Sequence, residues 1–474
     1  MKIFYLIITW VAIVTATTEQ TQAQCVGWNN IQATDSIFTN SAFGNATTPE
    51  ADKLHRPFDY LATVAGGVKV YDNNASGIPF IVATISKASL GNLDAISLYQ
   101  DSIWLYVCLG NIWNTSEMAG LAIIDVSNPL LPNVLDVYVH SGLKGGSGSV
   151  VVKGNYAYLA ANQNGLIILD ISNKSNILLK SALPFSNIFP HSTVGAASLY
   201  NARGIGLNGN YAYVCYDRGG LRIVDISNVN SPVQINQYCF PPLIDKVTAY
   251  NNITIHNNLA YVAIDYYGME ILDITNPSSI TQIAWWHPST WADTTNNFST
   301  WANSNGHANE LAYDSICKKI YLAAGKSDAV AIDVSNPANP TTCQTYGSTS
   351  DAYGTWGLDF FDGKIHIAYI WSVVAPPYSN YTGYKILQTN CSSVGIDENH
   401  FSDEFAVFPN PSSDQVFIKF FGQKLQNIKI YDLTGKLMQE DFTTKISIAN
   451  IPNGNYLIKV QTNKSTIVHK LIKQ

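Results

Sequence analysis

Short runs of β-branched and aromatic residues recur along most of the chain, and one run in each repeat ends in the same polar signature. Residues 220–228 show it best, with the sequence Gly-Leu-Arg-Ile-Val-Asp-Ile-Ser-Asn. Four close copies begin at Gly120, Gly165, Gly268 and Ala329. A weaker copy spans residues 67–72 and a decayed one spans residues 383–387. Because apolar runs of this length and composition are typical of strands, the pattern predicts seven copies of one β-rich unit.

The spacing of the copies sets the size of this unit. The Asp that closes each copy recurs every 45 to 60 residues, at Asp72, Asp125, Asp170, Asp225, Asp273 and Asp333. Upstream of a copy lies a second apolar run, such as residues 211–215, which follows the turn Asn208-Gly209-Asn210; Asn-Gly is a strong hairpin signal. An earlier strand and a later outer strand complete four antiparallel strands in about 50 residues. Seven such units predict an all-β fold, a seven-bladed β-propeller.

The residues after five of these Asp residues, all except Asp72, predict a fixed turn. Ser or Thr follows after one intervening residue, and then comes Asn, often with Pro behind it. Side chains of Asp, Ser and Asn bond to nearby backbone N–H groups, and Pro presets φ for a turn. We therefore expect the repeated Asp residues to be structural.

The Gly-Leu-x-Ile-Ile/Val-Asp-Ile/Val-Ser-Asn-Pro motif resembles the LVIVD repeat, which is associated with propellers of bacterial surface or secreted proteins. The resemblance covers residues 58–388 and implies a fold but no single activity. Its seventh copy ends at Gln388 without an obvious outer strand, whereas residues 26–40 have no repeat of their own. We expect that segment to complete the seventh sheet and remove an exposed edge.

The last part of the chain differs from the repeats in composition and in its pattern of apolar and polar residues. Residues 391–404 are polar and unrepeated, which predicts a linker. Residues 405–474 alternate apolar and polar positions between tight turns, which predicts a small antiparallel sandwich. Its Pro409-Asn-Pro411, the turn 431–436 and the short basic end resemble the C-terminal sorting domain of the type IX secretion system of Bacteroidetes. The resemblance implies the type IX secretion machinery as a partner, and a secreted or outer cell-surface location reached via the periplasm.

The first 23 residues predict a signal peptide. Met1-Lys2 precedes twelve mostly apolar residues, and Thr21-Gln-Ala23 offers a cleavage site. A run of twelve is too short to span a bilayer, and no other segment predicts a transmembrane helix in the mature chain. A lipoprotein signal at Cys25 is the alternative, which Gln24 disfavours. The propeller is therefore expected over residues 24–390.

Export into an oxidising compartment permits disulfides among the seven cysteines. Cys25 and Cys391 bracket the predicted propeller, and a bridge between them would tie its first strand to its last blade. Cys108 and Cys215 lie in apolar strands, which predicts small buried side chains instead.

Charge and motifs exclude several functions. The net charge is −7, and because residues 401–474 carry nine Lys and six Asp or Glu, the rest of the chain carries −10. An acidic propeller argues against nucleic-acid binding, which needs a basic surface. No His pair has metal-ligand spacing, and neither a Gly-x-Ser-x-Gly elbow nor a phosphate loop occurs. The sequence therefore assigns no cofactor, no metal and no catalytic residue.

One face of the predicted propeller carries long connections, at residues 110–120, 184–203, 285–309 and 371–383. Long loops on a rigid scaffold commonly carry binding sites. Their aromatic rings, set among small polar groups, suit stacking on sugars or packing against a protein. The candidate ligand-binding residues are Trp113, Tyr200, Arg203, Trp286, Trp291, Trp301, His307, Trp356, Trp371 and Tyr378.

Two functions fit this face. The first hypothesis is a secreted or surface-attached binding protein whose ligand is a glycan or a protein. The rival is a polysaccharide hydrolase or lyase that uses the same face. A cluster of His, Arg and carboxylate groups converging at the channel mouth would favour the enzyme, and scattered positions would favour binding. For any single ring, the alternative is that it packs the loop itself.

Overall fold

The structure is a computed structural model in which the chain forms two compact units, residues 1–391 and 392–474. Each unit is described by itself. The described residues are 28–34, 50–51, 58–72, 80–110, 117–193, 195–196, 199–244, 248–265, 267–287, 307–324, 329–347, 354–361, 363–370, 383–389, 405–408, 410, 412–420, 424–432, 435–462 and 466–474.

Within these ranges, the first unit contains seven four-stranded antiparallel sheets. The first sheet comprises β2 (Glu50–Ala51), β3 (Phe58–Ala62), β4 (Val68–Asp72) and β5 (Phe80–Ile85). The second comprises β6 (Asp94–Asp101), β7 (Trp104–Gly110), β8 (Met118–Asp125) and β9 (Asn133–Lys144). The third comprises β10 (Ser149–Lys153), β11 (Tyr156–Ala160), β12 (Leu166–Asp170) and β13 (Leu178–Leu183). The fourth comprises β14 (Ile205–Asn208), β15 (Tyr211–Cys215), β16 (Leu221–Asp225) and β17 (Val233–Tyr238).

The remaining three sheets continue the pattern. The fifth comprises β18 (Ala249–His256), β19 (Leu259–Asp265), β20 (Gly268–Asp273) and β21 (Thr281–Trp286). The sixth comprises β22 (Leu311–Asp314), β23 (Lys319–Ala323), β24 (Ala329–Asp333) and β25 (Thr341–Tyr346). The seventh comprises β26 (Thr355–Phe361), β27 (Lys364–Tyr369), β28 (Gly383–Thr389) and, as its outer strand, β1 (Trp28–Thr34). Short 3₁₀ turns at Lys87–Leu90 and Pro241–Leu243 lie between sheets.

The sheets form a closed ring around their first strands. The first strand of each sheet contacts that of the next, and β26 of the seventh sheet contacts β2 of the first. A buried apolar cluster fills each space between neighbouring sheets. This arrangement confirms the predicted β-propeller.

The repeated apolar run is buried on both sides of its sheet. In β16, Leu221 and Ile223 pack in the cluster shared with the fifth sheet, and Val224 packs in the cluster shared with the third. A third strand that is covered on both faces needs consecutive apolar residues, which explains the Leu-x-Ile-Val pattern of the repeat.

The polar end of the repeat forms two consecutive side-chain turns. Asp225 Oδ1 accepts from Ser227 N at 2.8 Å, and Asn228 Oδ1 accepts from Asn230 N at 3.1 Å. The same Asp bond is present in four other sheets, at Asp125, Asp170, Asp273 and Asp333. Between Asp and Ser, the backbone N–H of Ile226 donates to Asn210 O in the first hairpin turn of the same sheet. The predicted turn, closed by the side chain of the repeated Asp, is confirmed at these five positions.

The N-terminal strand completes the seventh sheet, as the missing outer strand predicted. β1 pairs antiparallel with β28, with Thr34 opposite Tyr384 and Trp28 opposite Thr389. Between the seventh and first sheets lies the ring-closing contact, where Asp59 Oδ2 is 3.1 Å from His366 Nδ1 and accepts from Tyr384 OH. Asp59 and His366 are both buried.

The second unit contains two antiparallel sheets among its described residues. One comprises β29 (Phe405–Phe408), β30 (Gln415–Phe420) and β33 (Lys445–Ser447). The other comprises β31 (Leu425–Asp432), β32 (Leu437–Asp441), β34 (Gly454–Thr462) and β35 (Thr466–Lys473). In β34 buried and exposed residues alternate, and Tyr456, Ile458 and Val460 enter an apolar core shared by both sheets. This is the predicted small antiparallel sandwich.

The cysteines divide into two groups. Cys108 and Cys215 are buried free thiols, as predicted, and Cys239 is a third. Cys317 and Cys343 are each disulfide-bonded, which the sequence did not indicate. The predicted Cys25–Cys391 bridge lies outside the described residues and stays a prediction, as does the signal peptide. None of the described residues forms a helix long and apolar enough to cross a membrane.

Candidate functional site at the mouth of the channel

The starts of the innermost strands surround a small cavity of about 40 Å³. These strand starts lie on the face that carries the long connections between sheets. Arg203, Asn309 and Glu310 come just before β14 and β22, and Trp356 is the second residue of β26. The lining residues are Ile96, Gly148, Arg203, Asn251, Asn252, Asn309, Glu310 and Trp356.

Arg203 is oriented by a turn of its own sheet. Its Nε donates to Asp217 Oδ1 at 2.9 Å, and Asn201 Nδ2 donates to Asp217 Oδ2 at 2.8 Å. Asp217, between β15 and β16, has a left-handed φ of 41° and bonds through its backbone to Tyr250 of the fifth sheet. Asp tolerates this conformation better than most residues. The two Nη atoms of Arg203 have no hydrogen-bond partner within the part of the chain that is described, so they can serve a ligand in the cavity.

A second pair lies at the same mouth. His307 Nδ1 is 3.0 Å from Asp265 Oδ1, where Asp265 ends β19 and His307 precedes β22. Burial raises the pKa of Asp217 above its ordinary value, Arg203 opposes this rise, and the charge of Asp265 adds to it. Each pair joins a side chain to a carboxylate near the start of an innermost strand.

Backbone contacts hold the amides of the cavity. Asn309 Nδ2 donates to Thr355 O at 2.8 Å, and Asn251 Nδ2 donates to Ala308 O at 3.0 Å. Glu310 Oε2 accepts from Leu358 N at 3.0 Å. Each side chain thus bridges its own sheet to the next, which fixes the polar lining before any ligand arrives.

The long connection between the third and fourth sheets is anchored by a buried arginine. Arg222 of β16 is completely buried, donates to Ser186 O at 2.9 Å and to Gln237 Oε1, and stacks on Phe189 and Tyr216. Tyr216 OH donates to Asn187 Oδ1 at 2.7 Å. Burial lowers the pKa of Arg222 to about 10. Arg222, the residue before Ile223 in the repeat motif, therefore fixes the position of the connection between the third and fourth sheets, which approaches the cavity.

The structure brings only some of the predicted site residues to the cavity. Arg203 and Trp356 line it, and His307 lies beside it but is only 2% exposed. Tyr200 is 1% exposed and packs in the cluster between the third and fourth sheets. Trp286 is 5% exposed and packs between the fifth and sixth sheets, with its Nε1 donating to Thr342 Oγ1.

Five predicted residues fall outside the described ranges, and their role stays a prediction. They are Trp113, Trp291, Trp301, Trp371 and Tyr378.

Sequence reasoning missed the polar lining of the cavity, chiefly Asn251, Asn252 and Asn309. Aligning the residues at and just before the start of each first strand would have revealed them, because these positions converge in a propeller. In the part of the chain that is described, no group of three His, Cys, Asp or Glu is placed to hold a metal ion.

Comparison with known families agrees with the repeats and the ending of the chain. The LVIVD repeat matches residues 112–139, 144–183, 201–239, 250–284 and 320–347. The secretion system C-terminal sorting domain matches residues 406–474. No curated protein matches the chain.

Solved structures with a similar fold are propellers. The WD40 repeats of RRP9 share 8% identity over 76% of this chain and 100% of that chain, with a TM-score of 0.52. U3-55K shares 8% identity over 74% and 97%, with a TM-score of 0.51. A chain of the mitotic checkpoint complex shares 11% identity over 83% and 99%, with a TM-score of 0.50. At these identities the likeness shows the fold alone.

The sorting domain marks a protein for type IX secretion to the cell surface or the extracellular space. The chain is thus a secreted β-propeller that carries LVIVD repeats and ends in a type IX secretion sorting domain.

Proposed function

We propose that this secreted propeller is a binding protein whose ligand, a glycan or a protein, sits on the long-loop face over the central cavity. The observation that carries the proposal is the lining itself: one guanidinium with uncommitted Nη atoms, three Asn amides and the Trp356 ring around one opening. Planar polar groups beside an aromatic ring can bond to hydroxyl or amide groups while the ring covers an apolar patch.

A glycan array and a pull-down with the full mature chain test this proposal. Trp356→Ala and Arg203→Gln should each weaken capture at least tenfold, since each removes a direct contact. Leu131→Ala is the matched control, because Leu131 is 74% exposed and lies beside the Asp125 turn on the opposite face. Absence of any ligand for folded protein, or equal capture by all three variants, would count against binding at this cavity.

A specific observation also favours the enzyme alternative. Arg203 is paired with Asp217 and His307 with Asp265 on neighbouring sheets, which supplies on one face the His, Arg and carboxylate groups that a polysaccharide hydrolase or lyase would require. Binding is preferred because both pairs are committed to each other and His307 is buried.

Release of reducing ends, or of unsaturated sugars absorbing in the ultraviolet, from a panel of polysaccharides separates the two functions. Turnover lost in His307→Gln but retained in Leu131→Ala would establish the enzyme. Capture of a glycan without turnover would support the binding function.

A further inference from the structure

A second cleft lies on the same face, against the connection between the third and fourth sheets. Its volume is about 410 Å³. The connection contributes His191, Ser192, Thr193 and Tyr200, and Arg218 enters from the turn between β15 and β16. The cleft is lined by donors and hydroxyl groups, and the described lining residues include no carboxylate.

Two of these donors are buried without a partner. Arg218 Nε and His191 Nε2 are both shielded from solvent, and no hydrogen-bond acceptor reaches them within the described residues. The contact recorded for Arg218 is made by its backbone N–H, which donates to Leu199 O at 3.2 Å. A buried donor without an acceptor costs about 1–3 kcal/mol. Such groups commonly mark a place where something else supplies the acceptor.

Among the described residues, neither Arg218 nor Arg222 has an anionic partner. Arg222 lies behind it, fully buried, and its contacts are an amide, a carbonyl and two aromatic rings, none of them anionic. Tyr200 lines the cleft, and Arg218 and Arg222 both act to lower its pKa, against the burial that raises it.

The nearest acid in sequence is already occupied. Asp217, the residue before Arg218, accepts from Arg203 and Asn201. The cleft is thus a cationic spot on a chain whose net charge is −7.

We propose that this cleft binds an oxyanion group, a carboxylate, sulfate or phosphate, with Arg218 as the principal contact and His191, Ser192 and Thr193 as further donors. Arginine suits this role because its planar fork matches carboxylate and tetrahedral oxyanions in a bidentate geometry. If the anion is carried by a glycan or protein held on the long-loop face, the cleft gives the proposed function its charge specificity. That link rests on the proposed function, whereas binding of the anion itself does not.

Calorimetric titration of the full mature protein at low ionic strength tests the proposal. The probes are sodium sulfate, sodium phosphate and sodium glucuronate, with glucose as the neutral sugar and chloride as the background anion. We expect at least one oxyanion to bind and glucose not to bind. Preference for glucuronate would identify a carboxylate, and preference for sulfate or phosphate would identify a tetrahedral group.

Variants assign the binding to the cleft. Arg218→Gln should weaken the anion tenfold or more, because a hydrogen bond to a charged group contributes about 1.5–3 kcal/mol. The anion affinity of Arg218→Lys should lie between those of wild type and Arg218→Gln, since lysine keeps the charge but lacks the planar guanidinium group. Lys180→Gln removes the same charge from an outer strand and should bind like wild type; Lys180 pairs with Asp170, away from the cleft. If the Arg218→Gln protein does not fold, His191→Gln tests independently whether the anion binds in the cleft.

Two results would overturn the proposal: wild type that binds none of the oxyanions, or Arg218→Gln and His191→Gln proteins that bind as well as Lys180→Gln. Oxyanion binding together with a blank glycan array and pull-down would sink only the proposed function. Ligand capture that persists unchanged in Arg218→Gln, with no oxyanion binding, would sink only the cleft.

Discussion

The turn that closes each repeat offers a direct test of how the sequence specifies this fold. In the fourth sheet, Asp225→Ala removes the acceptor of the 2.8 Å bond from Ser227 N while leaving the strand and the following Asn228 turn in place. Asp225→Asn is the matched control, because the amide oxygen can accept the same bond without a charge.

The size of the effect follows from the surroundings of the bond. A hydrogen bond to a charged group contributes about 1.5–3 kcal/mol when it is protected, but this turn is exposed, and water can replace the lost acceptor. We therefore expect Asp225→Ala to lower the free energy of unfolding by about 1 kcal/mol. The equivalent change at Asp125, two sheets away, should add to it, because the sites share no partner. The double variant should lose about twice as much as the single one.

The loss should depend on pH in a defined direction. The backbone bond from Ser227, followed by its side chain, lowers the pKa of Asp225 below the ordinary value. A lowered folded-state pKa stabilises the fold above the unfolded pKa, and the contribution is lost as pH falls through the folded value. The difference in unfolding free energy between wild type and Asp225→Ala should therefore be largest at pH 7 and decrease below about pH 4.

Urea unfolding followed by circular dichroism at pH 7 and pH 3 measures these differences, with ligand capture assayed in parallel. Capture should be unchanged, since the turn lies on the face opposite the cavity. The reasoning fails if the double Ala variant unfolds at the wild-type urea concentration, or if Asn is as damaging as Ala. Lost capture with unchanged stability would show instead that the repeated Asp residues bind the ligand.

Three further predictions concern other parts of the chain. Burial raises the pKa of Glu270 to about 7, so the folded state holds its proton more tightly than the unfolded state; stability should fall as pH rises from about 4.5 to 7, and Glu270→Gln should flatten that slope in urea titrations. A wild-type midpoint that does not move over this range would contradict the assignment. Asp59→Ala removes the buried acceptor of the Tyr384 hydroxyl at the ring-closing contact and should cost about 1–3 kcal/mol; an unchanged urea midpoint would show that this contact does not secure the ring. Deletion of residues 401–474 should leave a folded propeller in the periplasm on cell fractionation, and fusion of the segment to another exported protein should carry that cargo outside. Truncated protein at the cell surface would refute the sorting role.

The repeats could be predicted because each copy carries a local reason for its structure. A third strand buried on both faces needs an unbroken apolar run, and Asp225 and Asn228 satisfy backbone donors within two residues. The missing outer strand of the seventh sheet was equally visible, because an unpaired edge next to β28 requires a partner.

The site could not be predicted in the same way, because it depends on contacts between sheets. Asn251 and Asn309 share no motif and meet only after the fifth and sixth sheets pack together. Arg222 and Glu270 occupy the same motif position, and a charged residue there suggests exposure; both are completely buried against aromatic and amide groups of a neighbouring element. Tyr200 and Trp286 show the reverse, since a large ring in a long connection can cover apolar surface of its own scaffold.

The pairing of β1 with β28 also determines the order in which the molecule can be assembled. The two facing residues nearest in sequence, Thr34 and Tyr384, are 350 residues apart. Bringing such distant segments together costs ~5 kcal/mol of chain entropy, whereas the hairpins within the other sheets join neighbours. We therefore expect β1 to join the other three strands of the seventh sheet late, and contact order predicts that this step is slow.

Until that step, β28 presents a row of unsatisfied backbone groups to its surroundings. The β1 segment of a second molecule fits the same edge in the same register, so crowded chains can exchange these segments and form linked dimers. This exchange does not occur if β1 pairs with β28 of its own chain only after other unfinished molecules have moved away.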